Sequence, residues 1–398
     1  MSSPSPAASD RALTRAIFFM SLAAFASGAS LRVTDPLLPQ VALDFNSSVG
    51  AASVIVAAYA IPYGLTQAFA GVVADRLGKY LAVAAACGVS ALLVLLCAVA
   101  QSVPQLALAR LVSAPGAAII VPMGMAYVGD VVPYERRQTV LARFLAGQMC
   151  GMIAGQVVGG IVGDHFGWRS VFVVLAVVFA CASLGLVSQL RGNAWTKPIR
   201  DEGGERLGLI AAYRKILTQA WPRFLIIAVF LEGAIFFGGL TYVAADLHDR
   251  FGLSFSAVGL AVAAFGVGAV AYASTVQRLV GAFGERGLVL GGGVVVMLGF
   301  LTLAVEPVWQ LAPIACAVLG FGYYMLHNTL QTNATQMLPG ARGTAMAGFS
   351  SSLFLGQSVG VAVGALILDR AGAVPVFAVS AVAWPTLAVW LALRIGRR

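Results

Sequence analysis

Charge is scarce in this chain. Asp, Glu, Lys and Arg make up 10% of the residues, against about 25% in an ordinary soluble domain. Hydrophobic residues make up 60%, and the mean hydropathy is +0.89. A water-soluble fold cannot cover that much apolar side chain, so lipid is the expected solvent. Cysteine is rare too. The five (Cys87, Cys97, Cys150, Cys181, Cys316) are odd in number, lie in apolar runs and form no C-x-x-C, which argues against a disulfide framework and a zinc site. There is no nucleophile elbow, H-E-x-x-H, dinucleotide fingerprint or phosphate loop. GLVLGGG at 287–293 is glycine-rich, but it opens an apolar run and lacks the Lys-Ser/Thr ending. The expectation is a protein that is not an enzyme, with no cofactor and no metal. The N-terminal MSSPSPAASDRALTR is polar, without the layout of a signal peptide, so the first apolar run is expected to be retained.

What is present is a series of long apolar runs. A helix needs about 20 apolar residues to cross a bilayer. Twelve runs qualify, at roughly 15–43, 48–70, 79–100, 104–128, 138–162, 168–190, 221–245, 255–277, 287–305, 309–333, 343–367 and 373–394. The few charges are unevenly placed between them. With the N-terminus taken as cytoplasmic, the inner segments hold twenty of the 25 Lys and Arg residues. The outer loops hold three (Arg169, Arg250, Arg370), and Arg32 and Arg110 lie inside spans. This asymmetry is the positive-inside pattern. It accounts for the net charge of +9 without nucleic acid. An even number of spans then puts both termini in the cytoplasm. The expected location is the cell inner (plasma) membrane.

The longest polar stretch, Arg191 to Arg223, divides the runs six and six. Its middle, DEGGER at 201–206, is flexible by composition. The following GLIAAYRKILTQAW has helical spacing. It either lies on the inner membrane surface or extends the seventh span. The domains expected are an N-terminal bundle at 1–190, a cytoplasmic linker at 191–220 and a C-terminal bundle at 221–398. The halves are related. Gly151, Gly155, Gly159, Asp164, Gly167, Val171 and Phe172 recur at Gly356, Gly360, Gly364, Asp369, Gly372, Val376 and Phe377, every pair 205 apart. With one residue of slip, Pro133 and Arg136 recur at Pro339 and Arg342. Spans 4–6 and 10–12 therefore read as copies of one unit. The fold class is an all-α membrane protein, with twelve transmembrane helices in two pseudo-symmetric six-helix bundles.

Between the second and third runs stands GVVADRLGKY, with Gly71, Asp75, Arg76, Gly78 and Lys79 at the spacing G-x-x-x-D-R-x-G-K. This closely resembles the signature loop of the major facilitator superfamily of transporters. The bland alternative is an ordinary positive-inside loop. The resemblance implies parallel repeats of six helices with substrate bound between the halves. It also implies a latch in which Asp75 pairs with basic groups and with a helix start in the second half, near Gly343. Gly151, Gly155, Gly159 and Gly160 resemble the fifth-helix signature of proton-driven antiporters, with Gln156 where that pattern has proline. A stripe at every fourth residue also lets two helices pack closely, whatever else it does.

Charges inside a bilayer are expensive and mark function. Arg32 and Asp35 on span one are three apart and positioned to pair. Their segment, RVTDPLLPQVALDF, resembles a first-helix pattern of drug and metabolite exporters. Arg110, in LALARLVSAPGAA, resembles the superfamily's fourth-helix arginine, with Ala114 where glycine is usual. Asp35 and Arg110 lie about 12 and 9 Å inside the ends of their spans at ~1.5 Å per residue, depths compatible with a contact. Asp35, Arg110 and Glu232 on span seven are the proton-coupling candidates. Arg32, His327, Asn328 and Gln331 are the substrate-cavity candidates. Histidine is the residue type that switches charge nearest neutral pH, although a lone one among apolar residues, as His327 is, is commonly hydrogen-bonded and inert. The expected function is proton-coupled efflux of a small organic compound by a monomer in lipid, its partners being substrate and protons. A sugar or metabolite permease is the alternative, and a membrane-embedded receptor or enzyme the alternative of another class.

Overall fold

The computed structural model describes residues 6–70, 78–197, 209–338 and 341–395, and among these there is no strand. Ten helical segments are long and apolar enough to cross a membrane. One of them, Phe255–Val305, runs for 51 residues and holds Gly284 at φ 61°, ψ 179°. Only glycine adopts that conformation at low cost, so the eighth and ninth runs meet at a glycine kink within the 278–286 stretch that separates them. Leu311–Gln336, the tenth run, has 26 residues and the length to span. Its polar end, with His327, Asn328, Gln331 and Asn333, sets it apart from the ten.

In chain order the helices are α1 Pro6–Arg32, α2 Leu38–Asp44, α3 Val49–Ala52, α4 Val54–Gln67, α5 Lys79–Ala98, α6 Val103–Val131, α7 Tyr134–Phe166 and α8 Trp168–Leu190. They continue as α9 Leu209–Thr218, α10 Ala220–Leu240, α11 Val243–Phe251, α12 Phe255–Val305, α13 Leu311–Gln336, α14 Arg342–Ala371 and α15 Ala373–Ile395. Serines start several of them. Ser48, Ser102 and Ser254 each accept from an N–H in the first turn, satisfying donors that the helix itself cannot.

Two departures from the sequence expectation bear on the site. The first run is not one helix. Pro36 and Pro39 remove backbone donors, so α1 ends at Arg32 and the chain passes through a 3-10 turn, Asp35–Leu37, into α2. Arg32 and Asp35 thus sit on an interrupted helix. The second concerns α9, which is a separate helix and not an extension of the seventh span. Gln219 is extended between α9 and α10. Ala212 and Ile216 of α9 are buried against the core of the second half.

There are two main hydrophobic cores. One gathers α1 to α8 together with Tyr242, Val361 and Val376 of the second half, the other α9 to α15. Within them α7 packs on α1 and α14 packs on α10. The halves meet along two lines, α4 against α14 and α7 against α12. The glycine stripe explains how close these helices come. A Cβ on Gly151, Gly155 or Gly159 would lie 2.0, 2.6 or 2.6 Å from the carbonyl oxygen of Phe25, Ala29 or Val33. One on Gly356 or Gly360 would lie 1.9 Å from the oxygen of Phe230 or Ala234. Phe25 and Ala29 are themselves 205 residues before Phe230 and Ala234, so the repeat extends to the first and seventh spans. Gly160 does something different. Its Cβ would lie 2.4 Å from the Phe255 oxygen and 3.0 Å from Gly259, in the other half.

Candidate functional site

The ionisable side chains buried among the spans include Arg32, Asp35, Arg110, Glu232 and His327. Arg32 closes α1 and reaches back to Asp35, with Nη1 3.5 Å from Oδ2. Its guanidinium also lies 4.0 Å over the ring of Phe237 from α10 in the other half, a cation–π contact across the seam. Neither oxygen of Asp35 has a hydrogen bond among the described residues. The pair is therefore electrostatic and loosely held.

Arg110 is placed differently from the sequence expectation. It does not contact Asp35, whose ion-pair partner is Arg32. Arg110 donates from Nη2 to the Ser30 carbonyl at 3.0 Å, and its guanidinium lies 3.7 Å over the Tyr59 ring. Asp35 stands in the 3-10 turn beyond the end of α1, whereas Ser30, whose carbonyl takes the guanidinium, is still within α1. Nε and Nη1 of Arg110 have no partner among the described residues.

Glu232 lies in the second half on α10. Its Oε1 is 2.9 Å from Nδ1 of His327 on α13, and the Tyr323 hydroxyl is 3.2 Å from the same nitrogen. Tyr323 and His327 stack at 5.0 Å. Glu232 and His327 are 95 residues apart, and nothing in the sequence pairs them. Tyr323 and Tyr59 had no sequence signal beyond being aromatic. Of the other cavity candidates, Asn328 is half-buried and Gln331 is exposed.

A narrow cavity of about 20 Å³ lies where the halves meet, lined by Arg32, Met149, Met152 and Gln156 from one half and Phe265 and Tyr324 from the other. That is room for about one water molecule, so the seam is closed here. Of the polar candidates, Arg32 is the one that faces it. A larger cavity of about 380 Å³ opens at the end of the molecule that carries Gly167 and Gly252, with Asp246, Asp249, Arg250 and Asp369 in its wall. Beside it Arg250 holds Asp246, and also Glu306 at 3.2 Å. Burial pushes the Glu306 carboxyl up to about 7, with the Arg250 guanidinium opposing.

At the opposite end, Gly71, Asp75 and Arg76 of the signature loop lie outside the described residues, as do Pro339 and the 201–206 stretch. Gly78 starts α5 at φ 78°. Lys79 pairs with Asp130 at the end of α6.

Span-length helices in two related halves, with charges buried beside the seam, define a multi-pass membrane protein of the transporter type. Residues 20–254 and 239–397 match the model of the Major Facilitator Superfamily, and the chain belongs to that family. It is a transporter of small molecules and not an enzyme. Its relatives include the uncharacterized MFS-type transporter YfhI of Bacillus subtilis (strain 168), 24% identical over 366 residues, which are 89% of this chain and 87% of that protein. The chloramphenicol resistance protein of Streptomyces lividans is 27% identical over 366 residues, 89% of each chain. The uncharacterized MFS-type transporter YwfA of Bacillus subtilis (strain 168) is 24% identical over 250 residues, 63% of this chain, and the match spans 60% of that relative's length.

Proposed function

We propose that the chain exports a small organic compound in exchange for protons, by alternating access. It lies as a monomer in the cell inner (plasma) membrane. In this reading it crosses twelve times with both termini cytoplasmic, as bundles 1–190 and 221–398 joined by a cytoplasmic linker at 191–220. The Lys79 end is then inside and the Gly167 end outside.

The observation that carries the reading is the loose Arg32–Asp35 pair beside the seam. An antiporter needs one group for which proton and substrate stabilise different states. With its proton lost, Asp35 is held by Arg32 and steadied by the more distant charge of Arg110. With its proton gained, it releases Arg32. Substrate entering the cavity meets Arg32 against a wall of Met149, Met152, Phe265 and Tyr324. Soft, polarisable side chains of this kind adapt to varied apolar shapes. A relative named for chloramphenicol resistance supports export of a foreign organic compound.

One observation favours a second placement of the proton. Glu232 and His327 are within 2.9 Å and buried, so they are able to share one proton with no net charge gained. Asp75 is proposed to latch the inner end against the start of α14, near Gly343.

Purified protein in liposomes with an imposed pH gradient tests the reading. The wild type is expected to concentrate a fluorescent drug when the far side is acidic, and Asp35→Asn to lose this. Normal gradient-driven accumulation in Asp35→Asn would remove Asp35 from the mechanism. Equilibration of the drug across the membrane at the same rate with and without the gradient, and no accumulation, would leave a uniporter, the permease alternative.

A further inference from the structure

Asp164 and Asp369, marked by the repeat, take no part in the coupling site. Each of them binds the opposite half. Asp369, near the end of α14, accepts from Ser48 Oγ at 2.7 Å and from the Gly50 N–H at 3.1 Å. Asp164, near the end of α7, accepts from Ser256 Oγ at 2.6 Å and from the Ser256 N–H at 3.2 Å. The receiving segments match as well. Ser48 accepts from the Ala51 N–H at 3.0 Å, and Ser254 from the Ala257 N–H at 3.3 Å. Ser48, Gly50 and Ala51 become Ser254, Ser256 and Ala257 when 206 is added, as Asp164 becomes Asp369 when 205 is added. The bond from the Gly50 or Ser256 N–H to the facing aspartate is therefore made twice, crosswise, while the hydroxyl donor is Ser48 in one copy and Ser256 in the other; both copies lie at the Gly167 end.

We propose that Asp164 and Asp369 are a matched pair of clasps. They hold the outer ends of the two halves together, and their release lets that end open during transport. The proposal rests on the alternating-access reading but not on which group carries the proton. An ionised carboxylate makes stronger hydrogen bonds than a neutral acceptor, which suits a clasp. These two are not deeply buried: Asp164 is half-exposed and Asp369 is exposed. Asp369 also borders the 380 Å³ cavity. Water is thus at hand to replace the protein donors once the ends part, and the opened state strands no charge in lipid. Elsewhere the Asp164 side of the seam is bare helix on helix, as at Gly160 and Gly259. Another carboxylate contact at this end, Asp44 with Arg169 at 2.7 Å, joins α2 to α8 within one half. It is the natural control.

The test is a distance measurement by double electron–electron resonance in lipid nanodiscs, on full-length protein whose five native cysteines are replaced. Nitroxides at Asn46→Cys and Ala371→Cys flank one clasp; nitroxides at Phe166→Cys and Leu253→Cys flank the other. Asp164→Ala with Asp369→Ala is expected to raise the ratio of long to short distances at both label pairs, by about tenfold per clasp, the order of one lost hydrogen bond to a charged group. Each single variant is expected to give a comparable smaller shift, and Asp44→Ala none. Unchanged distances in the double variant would overturn the proposal, and so would an equal shift in Asp44→Ala. If the double variant does not elute as folded protein, Ser48→Ala with Ser256→Ala decides. It removes donors and leaves both acids, and it must shift both pairs in the same direction for the proposal to stand. A wild type that moves no substrate in response to a pH gradient would sink the coupling reading and leave the clasp result as measured.

Discussion

At the scale of single residues, the two halves hold their buried charge in different ways. Among the described residues Asp35 has Arg32 as its ion-pair partner and no hydrogen bond, whereas Glu232 is tied to His327, which is in turn contacted by Tyr323. A loosely paired acid changes state with less rearrangement than a networked one. Asp35→Asn is therefore expected to lower pH-driven transport at least about tenfold, while Glu232→Gln impairs it less; a tenfold change is about 1.4 kcal/mol in the barrier. If Glu232→Gln alone abolishes the pH dependence, the proton belongs to the second half. Glu306 gives a separate test through stability. Its carboxyl sits at about 7 in the folded protein, above its ordinary 4.5. Between those values the folded state keeps a proton that the unfolded state has lost. Stability from this group is then complete below about 4.5 and is lost as pH rises through about 7. Glu306→Gln is expected to raise the melting temperature at pH 8 relative to wild type, with no gain at pH 4.5. The same gain at both values would show that its protonation is irrelevant.

At the scale of helices, the close approaches identify which glycines the packing requires. Gly151→Ala and Gly356→Ala place a methyl group about 2 Å from a carbonyl oxygen of the facing helix, and overpacking of this kind costs about 1–3 kcal/mol. Both should lower the melting temperature in detergent. Gly129→Ala, with nothing within 4 Å of the added carbon, should not. Equal melting temperatures for all three would mean that the helices yield freely. The stripe itself was legible in the sequence, because glycine identity at every fourth residue survives in both halves. Its partner helices were not, because α1 and α10 meet the stripe with backbone carbonyls, and a carbonyl leaves no trace in residue type. The α1 break was also missed in position. Pro36 and Pro39 were visible, yet a hydropathy window averages across them. For the same reason the Asp35–Arg110 contact was misjudged: depth along a straight helix does not describe a chain that turns at Val33. The Glu232–His327 pair lay beyond any local reading, since each residue is flagged alone as a polar group in an apolar run.

At the scale of the whole molecule, the duplicated register is a feature of the sequence, and the Lys and Arg asymmetry predicts which end faces the cytoplasm. Orientation remains a matter for chemistry from each side of the membrane. A membrane-impermeant maleimide applied outside is expected to label cysteines placed beside Gly167 and Gly252, and to miss those beside Gly78 and Gly203. Labelling beside Gly203 from outside would invert the topology, and the clasps would then close the cytoplasmic mouth.

The crossed aspartates have a consequence for how such a chain is put together. In an isologous interface, residue i of one copy meets j of the other while j meets i. Asp164 with the Ser256 N–H and Asp369 with the Gly50 N–H obey that rule across one polypeptide. They are the contacts that two identical six-helix chains would exchange about a twofold axis. Among the described residues, the hydrogen-bond donors to each aspartate come from the opposite half. Two half-length chains expressed from separate messages therefore carry, in these residues, the instructions for finding one another.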